Sequence, residues 1–206
     1  MDYDPRSEDP RRPPYNLKHD PGTCLVVPRP IGWITTISPT GVVNLAPYSF
    51  FNIVSTKPPF VLFSSSGRKH SQRNAEASGE FVFNLATWEL RVEMNITGSD
   101  HGEDVSEAAL AELDMVASKV VKPPRVKRSP ITLECLYNKT IELVSADGRA
   151  NASSLVLGEV AHVHIDDSVI VNGMIDMARI RPISRLGYMD FSVVDSIFEM
   201  KRVPAQ

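Results

Sequence analysis

The hydrophobic and polar positions fall into short alternating or apolar runs, with few stretches of helical period between them. Ile31 to Ser38 is apolar and Thr-rich, is punctuated by Pro39-Thr40-Gly41, and returns as Val42 to Ala46, the pattern of two strands joined by a tight turn. Phe60 to Phe63 is another apolar, β-rich run. It ends in Ser64-Ser65-Ser66-Gly67-Arg68-Lys69, ahead of a helix expected over His70 to Ser78 with Gly79 as its stop. Glu80 to Ala86 sets Phe81, Phe83 and Leu85 against Glu80, Val82 and Asn84, so it reads as a strand covered on one face and partly on the other. Thr87 is placed to cap a helix over Trp88 to Thr97, with Trp88, Val92 and Ile96 on one stripe. After the polar loop Gly98 to Asp104, a shorter helix is expected over Val105 to Leu113 with Ser106 as its cap.

Two long β runs, Ile131 to Val144 and Ser153 to Ile165, flank the turn pair Asp147-Gly148, and Gly158 marks a bulge or a close backbone approach. Val169 to Val171, Asn172-Gly173, a helical turn opened by Asp176 and the segment RPISRLGYMDFSVV follow. Strands and helices do not alternate in a βαβ rhythm. The expected fold is therefore mainly β, a mostly antiparallel barrel with helical insertions rather than a doubly wound sheet. Met1 to Pro14, rich in proline and charge, is expected to be a flexible or surface-wrapping arm, and the domain is expected to start near Tyr15 and run to residue 206. The apolar residues of the tail Asp195 to Val203 need cover, from a partner subunit or from the chain's own core.

Composition narrows the function classes. With 42% hydrophobic and 23% charged residues the chain is ordinary for a globular protein, and its net charge of −3 argues against broad nucleic-acid binding. Cys24 and Cys135 lie far apart and without metal-ligand spacing, so both are expected to pack as small apolar residues. With no apolar leader and no long apolar run, a cytoplasmic location without membrane contact is expected. The basic connector VVKPPRVKRSP reads as a solvated face.

Chemistry concentrates at Ser64 to Lys69. Three hydroxyls, a glycine and two cations at a strand end, followed by a helix, make an anion cradle suited to phosphate, although the same residue types also build solvated loops. There is no GxxxxGK[ST] or GxGxxG pattern, so a phosphate ligand is not expected to be held in P-loop or Rossmann fashion. Arg29 is within reach of such a phosphate in sequence terms. Trp33 and Trp88 are expected in the core. His162 and His164 share a strand face, but no third ligand accompanies them and no metal site is expected.

The blocks RPIGWITTISPTGVVNLAPYSFF, FSSSGRKHSQRN, LGEVAHVHIDD and ISRLGYMDF, in this order over roughly Leu25 to Phe191, resemble the flavin reductase-like family of FMN-binding split β-barrel proteins. The resemblance implies a split β-barrel, a homodimer with FMN near the subunit interface, and NADH or NADPH as co-substrate. Hydride would pass from nicotinamide to flavin and electrons onward to a further acceptor, such as a monooxygenase or another acceptor protein. It also implies flavin-ring contacts from Asn44, Ala46, Pro47, Tyr48 and Ser49, with Thr35 and Thr36 near the ribityl chain. The phosphate segment falls on Ser64, Ser65, Ser66, Gly67, Arg68 and Lys69, with Ser71 and Asn74 beyond. In such a site Arg185 or the backbone around Ser49 would stabilise the reduced flavin, the alternative for Arg185 being an anchor of the C-terminal segment. His164 is implied at the active-site rim, the alternative being a strand histidine bonded to the acidic turn Asp166-Asp167. Two departures stand out: His70-Ser71 where many relatives carry Asp-Thr, and Tyr188 where many carry glycine. Two other readings remain: an FMN-bound, flavoredoxin-like electron carrier with little nicotinamide activity, or a split-barrel module for a different phosphate ligand.

Overall fold

In the computed structural model, which describes residues 1–203, the β runs become one sheet of seven strands among the described residues. They are β1 (Gly32–Ile37), β2 (Val43–Tyr48), β3 (Phe51–Thr56), β4 (Pro59–Ser66), β5 (Glu80–Leu85), β6 (Ile131–Val144) and β7 (Ala150–Ile165). Their order is β2-β1-β5-β6-β7-β4-β3, with every neighbouring pair antiparallel. The two edge strands, β2 and β3, are joined by Ser49 and Phe50 alone, so the sheet has to curl until its edges meet. The Tyr48 ring on β2 lies 4.8 Å from the Phe63 ring on β4, and the Ser64 N–H, donating to the Phe50 carbonyl at 2.8 Å, continues the β3–β4 ladder past Phe51. Outside the barrel, β8 (Ile183–Gly187) and β9 (Asp190–Val193) pair with each other, and Arg29–Pro30 adds to β8. Helices α1 (His70–Ser78), α2 (Arg91–Ile96), α3 (Glu107–Leu110) and α4 (Met177–Ile180) are the insertions.

Two apolar clusters hold this together. The barrel interior carries Ile34, Phe51, Val61, Phe63, Phe81, Phe83 and Val156, with the Phe51 and Phe83 rings stacked at 4.7 Å. The other face of β1 and β5 packs Trp33, Leu45, Leu90, Met94, Val126 and Ile183 under the helical insertions. Each such side chain contributes about 1.5–3 kcal/mol on burial. Strand β1 is thus covered on both sides, which is why its burial is continuous and not alternating. At Gly158 on β7, a Cβ would lie 2.4 Å from Phe81 ring carbons, the close approach expected there.

Polar groups inside this second layer are paired. Asn84 Nδ2 donates to the Trp33 carbonyl at 3.1 Å and to Thr35 Oγ1 at 2.8 Å, and Asn84 Oδ1 accepts from the Val126 N–H at 2.8 Å. Trp33 Nε1 donates to Thr97 Oγ1 at 2.8 Å, which fixes the end of α2.

Several expectations change. The stripe Trp88, Val92 and Ile96 faces outward, and Leu90 and Met94 face the core instead. The segment opens with a 3₁₀ turn over Trp88–Leu90, and Trp88, 38% exposed, lies under the Arg91 guanidinium at 4.0 Å. The helix expected over Val105 to Leu113 shrinks to α3, and neither Thr87 nor Ser106 makes a side-chain capping bond. Asp176 does cap α4, accepting from the Arg179 N–H at 2.9 Å. The N-terminal arm is a set of local turns, its Tyr15 hydroxyl donating back to the Asp2 carbonyl. Cys135 is buried and Cys24 half-buried. In the tail, Ile197, Phe198, Met200 and Val203 are exposed and take no place in the chain's own core. Residues 204–206 of the expected domain lie outside the described part.

Candidate functional site

At the end of β4 the chain must turn from strand into helix within a few residues. Gly67 (φ 77°) and Arg68 (φ 51°) make the turn in the left-handed region. A Cβ on Gly67 would meet nothing within 4 Å, so glycine suits this position for its backbone and not for space. The Lys69 N–H donates to Ser65 Oγ at 3.2 Å, fixing the start of α1. Asn44 Nδ2 donates to Ser71 Oγ at 2.9 Å and Asn74 Nδ2 to Thr36 Oγ1 at 3.2 Å, so buried side chains fasten α1 to β1 and β2. The first N–H groups of α1, at its positive end, have no partner within the helix and face the turn.

A cavity of about 470 Å³ opens beside this turn, within the range of small-ligand sites. One wall is Ser64, Ser66, Gly67, Arg68, Lys69 and Ser71; the facing wall is Asn44, Ala46, Pro47, Tyr48 and Ser49. The two stretches singled out in the sequence therefore meet in one space. A third wall comes from Thr97 to His101 and from Glu107. Glu107 is 4% exposed, and its Oε2 accepts from the Leu45 N–H at 3.1 Å. Burial pushes the Tyr48 phenol up to about 12, against the pull of the Ser71 and Ser65 hydroxyls, so it stays protonated.

Other residues singled out in the sequence lie elsewhere. Thr35, Thr36, Ser65 and Asn74 are buried behind the walls, where they bond to Asn84, Asn74, Lys69 and Thr36 respectively. Arg185 lines an adjoining opening of about 360 Å³ that shares Pro47, Ser49, Gly98 and Ser99 with the cavity. Its guanidinium lies 4.5 Å over the Phe191 ring and donates to the Tyr188 carbonyl. His164 is far along β7 from Ser153, the residue that pairs with Ser66, and so does not join the cavity of its own chain. Its imidazole is held below its ordinary pKa by burial first and then by Arg125. Arg29 is buried away from the turn, donating to the Thr23 carbonyl and, at 3.0 Å, to the Val26 carbonyl, beside the Phe50 ring.

The cavity is also lined by His70, noted in the sequence as a departure, and by residues that the sequence reading passed over: Phe50, Arg73, Glu107 and the Thr97 to His101 stretch. Arg73 had a signal, since it stands in the first turn of the helix expected to follow Lys69. Each cation at this end has a carboxylate partner: Arg68 with Glu76 at 2.6 Å, Lys69 with Asp100 at 2.9 Å and Arg73 with Glu103 at 2.6 Å. The arrangement suits a ligand that is anionic at one end and planar and polar-edged at the other. Among the described residues no helix is long and apolar enough to cross a membrane.

Comparison with known proteins gives a consistent picture. The family model for the flavin reductase like domain matches residues 25–181. An uncharacterised protein of Aquifex aeolicus is 36% identical over 169 residues, covering 79% of this chain and 83% of its own. Among solved structures, nitrilotriacetate monooxygenase component B from Bacillus cereus superposes with a TM-score of 0.85 at 31% identity, over 97% of this chain and 98% of that one. The 2-nitrobenzoate 2-nitroreductase of Pseudomonas fluorescens superposes with a TM-score of 0.77 at 27% identity, over 88% of each chain.

Proposed function

Because the chain belongs to the flavin reductase like domain family, a split-barrel family of flavoproteins, we propose that its cavity binds FMN and that the protein is an NAD(P)H-dependent flavin reductase. The observation that carries this reading is the meeting of the Ser64 to Lys69 turn and the Ala46 to Ser49 wall in one cavity. The donor set fits the cofactor. Hydroxyls of Ser64, Ser66 and Ser71, the cations Lys69 and Arg73, and the start of α1 match a phosphate. Asn44, Ala46, Tyr48 and Ser49 border the space left for the ring, with Tyr48 able to donate a proton in a hydrogen bond but not to lose it near neutral pH. Thr35, Thr36, Ser65 and Asn74 act one layer behind, holding β1 and α1 in place.

Bound FMN supplies the two-electron redox chemistry between a nicotinamide and a further acceptor. The chain's part is to hold, orient and charge-balance it. Arg185 puts a positive charge in the opening next to Pro47 and Ser49, which favours negative charge at that end of the ring. We place the working form as a homodimer in the cytoplasm, in which a partner subunit brings the rim position of His164 to a cavity its own chain does not reach. The likeness to a monooxygenase component supports an oxygenase partner as the acceptor of reduced flavin.

The test is anaerobic. FMN-loaded protein is mixed with NADH and then with NADPH while the visible flavin band is followed. Bleaching by either nucleotide is expected. A yellow protein that neither nucleotide bleaches would favour an electron carrier fed by a protein donor, and a protein that takes up no FMN would favour a module for another phosphate ligand.

A further inference from the structure

We propose that Asp100 and Glu103 are competitors for the flavin phosphate, so that the Gly98 to Asp104 loop is a carboxylate-held latch on the cavity and FMN binds as an exchangeable ligand. The proposal rests on the phosphate reading above. Lys69 is the residue that precedes α1 and Arg73 lies in the first turn of α1, its N–H donating to the Lys69 carbonyl at 3.1 Å, and Asp100 and Glu103 meet the two cations at 2.9 and 2.6 Å. The same loop walls the cavity with Gly98, Ser99, Asp100 and His101.

Both flanks of the loop are tied to the barrel. Thr97 is tied by Trp33 at 2.8 Å, and Glu107 is tied by the Leu45 N–H at 3.1 Å. Between them, the two ion pairs are what join the loop to α1. The carboxylates are the wet partners: Asp100 and Glu103 are 88% and 73% exposed, against 52% and 42% for Lys69 and Arg73. A carboxylate that swings out is solvated at once, while a phosphate entering the cavity takes over cations that already face it. A phosphate group brings about two charges and more acceptor oxygens, so it outbids a single exposed carboxylate. Arg68 differs, because its partner Glu76 also accepts from Gln72 and Thr140 at 2.9 and 2.8 Å and belongs to the fixed scaffold. Loop and phosphate therefore draw on the same two cations, and each ligand exchange opens and closes the latch.

The experiment titrates FMN and riboflavin, which lacks the phosphate, into the full chain and into the double variant Asp100→Asn/Glu103→Gln, reading flavin fluorescence. Losing two exposed pairs, each a factor of two to three, should tighten FMN about fivefold and leave riboflavin unchanged. Amide exchange in Gly98 to Asp104 of the unaltered protein should quicken with FMN and not with riboflavin. Unchanged or weaker FMN binding in the double variant, or equal tightening of both flavins, overturns the latch. Lys69→Ala separates the two readings. If the unaltered protein binds FMN and riboflavin alike and Lys69→Ala changes neither, the phosphate reading fails and the latch with it. If FMN is preferred and Lys69→Ala removes the preference while the double variant does nothing, the latch alone fails.

Discussion

Replacing Asn84 by alanine should cost as much as truncating a buried leucine, although it removes no apolar group, because it strands three partners at once. Asn84 is fully buried on β5 and satisfies the Trp33 carbonyl, the Thr35 hydroxyl and the Val126 N–H at 3.1, 2.8 and 2.8 Å. A buried polar group left unpaired costs about 1–3 kcal/mol. The Trp33 carbonyl lies in the sheet and the Thr35 hydroxyl can rotate, so these two fall at the low end; the Val126 N–H has no such relief. The sum is about 3–4 kcal/mol, which for a chain of this size corresponds to a melting temperature lower by about 10 °C. Urea unfolding followed by tryptophan fluorescence, with a thermal scan beside it, measures both. A loss below about 1 kcal/mol would mean that water replaces the amide and would refute the accounting. Flavin affinity, measured well below the transition, should change little, because Thr35 lies behind the cavity wall; a large loss would put Thr35 in contact with the ligand.

Gly158→Ala should lower the urea midpoint through overpacking of about 1–3 kcal/mol, since the new Cβ meets a Phe81 ring already packed edge-on against Phe63; a midpoint equal to that of the unaltered protein would contradict the packing. His164 should titrate below its ordinary value of 6.5 in an NMR pH series, and a midpoint at or above 6.5 would contradict its burial. The sign follows from that lowered value: as pH falls through about 6.5 the unfolded chain takes up the proton first, so stability is lost progressively down to the folded value and stays lost below it, and His164→Ala removes that acid-side loss. Removing residues 1–14, whose recorded hydrogen bonds are local, should leave the unfolding midpoint and FMN binding as they are; loss of either would make the arm part of the domain.

The fold was legible where local chemistry and tertiary demand agree. The α1 helix begins and ends at His70 and Ser78 as the sequence indicates, because a glycine able to take a left-handed conformation follows it. The turn at the end of β4 was legible as a turn, because Gly67 takes the left-handed conformation that stops the strand ahead of α1. What the sequence hid depends on which face is covered. Trp88-Val92-Ile96 and Leu90-Met94 are both apolar sets at spacing four, and the choice between them comes from distant partners, with Leu90 and Met94 packing against Trp33, Leu45 and Ile183. Thr35, Thr36, Asn74 and Asn84 read as polar positions on a half-covered strand or a ligand wall, but the insertions bury them and they bond to one another. The third wall of the cavity, Thr97 to His101 and Glu107, was missed because a polar loop shows no period, and its place comes from contacts distant in sequence. His164 sits on a strand whose alternation is clear, yet periodicity does not say which end of the strand meets the site.

The most direct test of the phosphate-and-ring reading is a crystal structure of the FMN complex. The expected result is a phosphate bonded to the Ser64 and Ser66 hydroxyls, Lys69 and Arg73, with the ring against Ala46 to Ser49. Density for the phosphate at the Arg185 opening, or no flavin between these two walls, would contradict it.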